Sequence, residues 1–73
     1  MEMIIPIAKL GETLRKIRKE QAMSLDELAD DCELSKSFLS EMERKKKYPR
    51  LETLDTISKN LGFKVAIIMI EKS

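Results

Sequence analysis

Two helix-start signals in quick succession constrain this chain more than any other feature. Ser24 and Glu27 have the spacing of a capping box, in which each side chain accepts a hydrogen bond from the other residue's free amide. The apolar residues that follow have helical spacing as far as Cys32. Ser35 is a second good N-cap, so one helix ends and another begins within a few residues. Two helices joined by a turn of about three or four residues form a helix-turn-helix unit.

Two further helices flank this unit. Apolar residues at helical spacing predict a first helix over about residues 8–21 and a fourth over residues 51–61. The third helix is expected over residues 35–44, and Pro49 ends that region. Gly62 is placed to close the fourth helix as a C-cap glycine. We therefore predict an all-α fold with four helices.

The C-terminal segment, residues 63–73, has a different pattern. Residues 63–70 of this segment are rich in β-branched residues and predict a β-strand. Because a lone strand leaves its amides without acceptors, we expect it to pair with the same strand of a second copy, or with the apolar run 3–5. A frayed helical turn is the alternative. The residues assigned to dimerisation are Phe63, Val65, Ile67, Ile68, Met69 and Ile70.

Composition argues against an enzyme and against export. The chain has 73 residues, no histidine and a single cysteine, so it lacks the commonest general base and cannot form an internal disulfide. So small a core also leaves little room for a catalytic cleft. The N-terminal apolar run is too short for a signal peptide, and residues 65–70 fall far below the roughly 20 residues of a membrane helix. We expect a cytoplasmic protein that is not an enzyme, with no cofactor, metal or membrane partner.

Charge is distributed unevenly along the chain. The formal net charge is only +1, which by itself does not indicate a nucleic-acid partner. Residues 24–35 contain five acidic residues and no basic one, whereas residues 36–50 contain six basic ones. The basic run predicts a cationic edge directly after the third helix. The acidic run is interpreted either as a solvated face or as a docking surface for a partner protein.

Five sequence segments carry a family pattern: LRKIRK at 14–19, SLDELA at 24–29, LSKSFLS at 34–40, MER at 42–44 and PRLETL at 49–54. They resemble the helix-turn-helix family of lambda-type phage repressors and Cro, also called the xenobiotic-response-element type. The resemblance covers about residues 10–62. It implies that residues 1–62 form a DNA-binding domain whose third helix lies in the major groove, followed by a dimerisation tail over 63–73.

The resemblance also assigns residues to the two kinds of DNA contact. Lysine can donate to guanine, serine can donate or accept, and glutamate can accept from the cytosine amino group. The expected base-contacting residues are Ser35, Lys36, Ser37 and Glu41. The expected phosphate-contacting residues are Ser24, Ser40, Arg44, Lys45, Lys46, Lys47, Tyr48 and Arg50. The alternative is that these charged side chains form ordinary solvated surface.

Five further positions are compared with the family pattern. Arg18 and Glu43 stand where similar repressors have an ion pair between the first and third helices, and such a pair, if exposed, would contribute about 0.2–1 kcal/mol. Leu25 replaces a glutamine that reaches a phosphate in the family, so this contact is absent. Glu33 and Lys45 stand where the family commonly has glycine, and each is expected to carry a strain of about 1 kcal/mol.

The resemblance implies a homodimeric repressor of transcription that reads double-stranded DNA. Two copies of the third helix would enter major grooves about one DNA turn apart. One alternative is an antitoxin-type module that neutralises a toxin and represses its own operon, with the acidic run as its docking surface. A second alternative is a bare dimerisation unit without a role on DNA.

Overall fold

Four α-helices and one short 3-10 turn make up the regular structure of the described residues. The computed structural model describes residues 4–44 and 46–71. The elements in chain order are the 3-10 turn Ile7–Lys9, α1 Leu10–Glu20, α2 Leu25–Cys32, α3 Lys36–Glu43 and α4 Leu51–Asn60. The predicted all-α fold with four helices is confirmed.

The two serine caps start the central helices as predicted. The Ser24 hydroxyl accepts a hydrogen bond from the Glu27 amide, and the Glu27 carboxylate accepts one from the Ser24 amide. The Ser35 hydroxyl accepts from the Phe38 amide at 3.0 Å. These bonds satisfy donors that a helix start leaves free, and so fix where α2 and α3 begin.

Two connections depend on residues in the left-handed backbone region. Glu33, between α2 and α3, has φ 56° and ψ 41°, so the side chain stands where glycine is favoured, as predicted. Ala22, between α1 and α2, has φ 53°, which the sequence did not indicate. Gly62, which follows the C-cap residue of α4, has φ 88°, consistent with its predicted role at the end of that helix. Lys45, for which strain was also predicted, lies outside the described residues.

The core lies where α3 packs on α1 and α2, and where α2 packs on α4. Met42 and Leu39 of α3 and Ile57 of α4 are almost completely inaccessible to solvent. The buried apolar side chains are Leu14, Leu28, Ala29, Cys32, Leu39, Met42, Ile57 and Leu61. Burial of α3 on one side leaves its other side as the exposed face of the helix-turn-helix unit.

Gly11 allows α1 to approach the end of α3 closely. A Cβ atom at this position would overlap the main-chain oxygen of Met42 and press on the backbone of Glu43. Backbone atoms cannot move aside as a flexible side chain can, so no larger residue fits without separating the two helices. The sequence pattern did not reveal this contact.

The β-strand predicted over residues 63–70 is wrong for the single chain, and so is the alternative of a helical turn. Residues 63–71 form neither strand nor helix. No strand occurs among the residues that the structure describes, so the tail has no partner for a hydrogen-bonded ladder. Val65 and Ile67 instead line a shallow groove together with Leu51 of α4, and Ile67 is still 70% exposed. Ile68, Met69 and Ile70 remain largely exposed.

Arg18 and Glu43 form an ion pair that is buried rather than exposed. Their side chains are 8% and 5% accessible, and the guanidinium donates to both carboxylate oxygens, at 2.8 and 3.0 Å. A third guanidinium hydrogen bond reaches the Met23 carbonyl at 2.7 Å. The hydrogen bond to Glu43 raises the pKa of Arg18 above its ordinary value, although burial acts in the opposite direction. The contribution of about 0.2–1 kcal/mol expected for an exposed pair therefore does not apply.

We predict strong energetic coupling between these two side chains. Arg18→Met and Glu43→Leu should each lower the free energy of unfolding by about 3–5 kcal/mol, because each leaves a buried charge unpaired. The double variant should lose clearly less than the sum of the two. Urea unfolding followed by circular dichroism measures the three losses.

The exposed pair of Asp55 and Lys59, 2.9 Å apart on α4, provides the matched control. Its coupling should stay below about 1 kcal/mol. Glu43→Gln, which keeps a neutral acceptor and should lose about 1.5–3 kcal/mol, serves where the larger truncations do not fold. Equal coupling in the buried and the exposed pair would contradict the prediction.

We also predict that Glu33→Gly stabilises the fold. Removing the Cβ relieves the left-handed conformation, whereas the greater freedom of glycine in the unfolded chain offsets part of this gain, so the free energy of unfolding should rise by about 0.5–1 kcal/mol. Glu33→Ala is the control, because it removes the same charge but keeps the Cβ. Thermal unfolding that ranks the alanine variant as high as the glycine variant would show that charge, and not strain, is responsible.

Candidate nucleic-acid interface

The start of α3 presents a polar face. Ser35, Lys36 and Ser37 are exposed, and Glu41 is half-buried one turn further along. Positions four residues apart lie on the same side of a helix, so Ser37 and Glu41 share a face. The four residues predicted to contact bases thus lie together on one short helix and its N-cap.

Two of these four side chains have ion-pair partners that the sequence did not indicate. The Lys36 ammonium lies 3.4 Å from an Asp26 carboxylate oxygen, and the Lys47 ammonium lies 3.2 Å from a Glu41 carboxylate oxygen. The four side chains of these two ion pairs are each at least one-third exposed, and exposed pairs contribute only about 0–1 kcal/mol. They can therefore be exchanged for contacts with a ligand at little energetic cost.

A cationic edge follows α3. The Lys46 amide donates to the Glu41 carbonyl at 2.9 Å, which holds the start of this segment against the end of the helix. Arg44 donates from its side chain to the Ser40 carbonyl at 3.3 Å. The predicted phosphate-contacting residues that are exposed here are Arg44, Lys46, Lys47, Tyr48 and Arg50. Lys45, predicted with them, lies outside the described residues.

The two predicted phosphate-contacting serines differ in their surroundings. Ser24 is exposed, and because its oxygen already accepts from the Glu27 amide, its hydroxyl proton is the group left for an anion. Ser40 is half-buried and lies in a cleft with Arg44. Only Ser40 is brought into contact with the arginine at the end of α3.

This cleft is the feature that sequence reasoning missed. We call it the α1–α3 cleft; it is lined by Arg15, Arg18, Leu25, Ser40, Glu43 and Arg44. The buried pair of Arg18 and Glu43 contributes to it, whereas Arg15 and Arg44 are exposed. Arg15 precedes Arg18 by three residues and so lies on the same side of α1, which is the signal that could have identified it.

Cys32 does not provide a reactive group. Its side chain is buried in the core. Burial raises the pKa of its thiol, the negative charge of Asp31 adds to this, and a hydrogen bond with Asn60 partly opposes it. The thiolate is the nucleophilic form, so a thiol held protonated is poorly suited to catalysis.

Within residues 4–44 and 46–71, no group of three or more histidine, cysteine, aspartate or glutamate side chains is placed to hold a metal ion. In the same part of the chain, no helix has both the length and the apolar character needed to cross a membrane.

Both the sequence and the architecture are similar to those of known proteins. A helix-turn-helix family model matches residues 14–68. The immunity repressor protein of Bacillus phage phi105 is 34% identical over 64 residues, which cover 88% of this chain and 44% of that protein. The chain spans about half the length of the curated relatives that it matches.

Two crystal structures are similar to the fold. The structure of SinR, the master regulator for biofilm formation, in complex with DNA gives a TM-score of 0.68 at 36% identity, covering 71% of this chain and 84% of that one. The tetramer of the restriction-modification controller protein C.Esp1396I in complex with its natural 35 base-pair operator gives 0.71 at 28% identity, covering 77% and 74%. With the family model matching most of its length, the chain belongs to the helix-turn-helix family, in its Cro/C1-type branch.

Proposed function

We propose that this chain is a sequence-specific DNA-binding regulator of transcription, which acts as a dimeric repressor and reads the major groove with α3. The observation that carries the proposal is the polar face at the start of α3 combined with the cationic edge directly after it. Sequence-specific DNA binding needs both elements, because base contacts specify the site and phosphate contacts position the protein on it.

The base-reading part of the proposal rests on the chemistry of three side chains. Lys36 donates to guanine O6 and N7, Glu41 accepts from the cytosine amino group, and Ser37 acts in either role. Their weak ion pairs in the free chain leave these groups available. Ser35, the N-cap of α3, is the fourth residue proposed to contact bases.

Phosphate contacts come from side chains that need no strict register. Arginine and lysine neutralise phosphates and release counterions, so binding weakens as salt rises. Ser24 and Ser40 add hydroxyl donors. The cations of the edge are Arg44, Lys45, Lys46, Lys47 and Arg50, with Tyr48 among them.

The relatives support this function over its alternatives. One of them is named as an immunity repressor, and two similar structures contain DNA. The antitoxin alternative is not favoured, since the matched relatives are named as repressors and transcriptional regulators. The same family supports a non-enzymatic role. A protein that acts on bacterial or phage operators works in the cytoplasm, where we place this chain.

Dimerisation is proposed for the tail, residues 63–73, with the DNA-binding domain in residues 1–62. The tail's exposed apolar side chains would be buried against the tail of a second copy, which is favourable by about 25 cal/mol per Å² of apolar area. Two-fold symmetry then presents two α3 helices to half-sites about one DNA turn apart. The residues concerned are Phe63, Val65, Ile67, Ile68, Met69 and Ile70.

Selection from a random duplex library tests the proposed function. The wild-type chain should enrich palindromic sites with half-sites about 10 base pairs apart, and binding should weaken as salt is raised. Lys36→Ala should reduce discrimination at one position of each half-site by about 1–3 kcal/mol. Lys59→Ala, on α4, is the control. A wild-type chain that enriches no sequence, or binds equally at low and high salt, would overturn the proposal.

The dimer makes a separate prediction. Replacing both Ile67 and Ile70 by Glu should convert the dimer to a monomer, because the carboxylates would have to be desolvated at the interface. Sedimentation equilibrium measures the mass. Ile7→Glu is the matched control, as Ile7 is 69% exposed and Ile67 is 70% exposed. A wild-type monomer, or a dimer that survives the double substitution, would exclude the tail as the interface.

A further inference from the structure

The α1–α3 cleft carries two positive charges that no acidic side chain within residues 4–44 and 46–71 neutralises. Arg18 and Glu43 compensate each other, which leaves Arg15 on α1 and Arg44 at the end of α3. Neither of these two arginines takes part in an ion pair within residues 4–44 and 46–71. Both are exposed, so their guanidinium groups can reach a ligand in solution.

Further hydrogen-bond donors lie at the same cleft. Ser40, whose side chain carries a hydroxyl group, and Leu25, the first residue of α2, also line the cleft. The Glu27 amide is capped by Ser24, but the amides of Leu25 and Asp26 have no acceptor among the described residues. The first amides of a helix cannot be satisfied within the helix itself. Leu25 therefore offers a main-chain donor even though its side chain is apolar.

This set of groups selects the chemistry of the ligand. Two guanidinium groups, a hydroxyl and a free amide are all donors, and the one carboxylate in the lining, Glu43, is already occupied by Arg18. A cation would be repelled by the two guanidinium groups. A phosphate, with several acceptor oxygens and a negative charge, is the anion that paired arginines bind best.

We propose that Arg15 is a DNA phosphate-binding residue, which together with Arg44 holds one backbone phosphate in the α1–α3 cleft. The inference rests on the proposed DNA-binding function and extends it to α1, for which the sequence predicted no DNA contact. Since Arg18 ties α1 to Glu43 of α3, a phosphate held by Arg15 has a fixed position relative to the base-reading helix.

Binding measurements on single-residue variants test the proposal. Fluorescence anisotropy is recorded with the duplex enriched in the selection and with a mixed-sequence duplex of equal length, at several salt concentrations. Arg15→Gln should weaken binding to the enriched duplex about tenfold, the loss of one hydrogen bond to a charged group. The slope of log affinity against log salt should become shallower by about 0.9, the value for one phosphate contact. Arg15→Lys keeps the charge and should restore the slope.

Controls separate this inference from general electrostatics. Lys16→Gln removes the same charge from the neighbouring exposed residue of α1, which does not line the cleft, and should leave affinity and slope at wild-type values. Arg15→Gln and Arg44→Gln combined should lose less than the product of the single losses if both hold one phosphate. Circular dichroism checks that every variant folds.

The outcomes distinguish the two proposals. A wild-type chain that binds neither duplex would overturn the proposed function and this inference with it. Wild-type binding with Arg15→Gln indistinguishable from Lys16→Gln would overturn this inference alone. Independent, fully additive losses for Arg15→Gln and Arg44→Gln would overturn the shared phosphate.

Discussion

A guanidinium and a carboxylate, both almost fully buried, join α1 to the last residue of α3 through two parallel hydrogen bonds. The same guanidinium reaches the carbonyl of Met23, just before the cap of α2. One side chain of α1, Arg18, thus contacts both the end of α3 and the connection that leads into α2. A well-packed apolar pair at these positions could be equally stable, but it would not impose the directional geometry of a bidentate pair.

Other constraints act on α3 at its two ends. At its C-terminal end, the absence of a side chain at Gly11 lets α1 approach the backbone of Met42. At its N-terminal end, the Ser35 cap and the left-handed Glu33 determine the direction in which α3 leaves the turn. With both ends fixed and one side buried, the exposed side of α3 presents its polar residues in a defined arrangement. A helix of only two turns would not hold this arrangement alone.

The parts of this structure that the sequence predicts are those determined by nearby residues. The capping box at Ser24 and the second cap at Ser35 depend on contacts three residues apart, and both were predicted. The burial of the Arg18 pair could not be inferred, since its members are 25 residues apart and only packing decides whether water reaches them. For the same reason the sequence did not predict that Arg15 lines a cleft with residues of α3.

The local backbone preference of the residues led to a wrong prediction for the tail. The β-branched residues of the tail favour an extended backbone, but a strand needs a neighbour to accept its hydrogen bonds, and no sequence pattern supplies that neighbour. The family resemblance placed the base-reading and phosphate-contacting residues on the chain. It could not reveal that Lys36 and Glu41 are each paired with another charged side chain in the free protein.

The uncovered tail has a consequence for the behaviour of the chain at high concentration. Ile68, Met69 and Ile70 are exposed in succession, and a formal net charge of +1 provides almost no long-range repulsion between molecules. Apolar patches of this kind promote aggregation when nothing covers them. Whether a concentrated solution of this protein remains clear therefore depends on how completely its tails are buried in ordered assemblies.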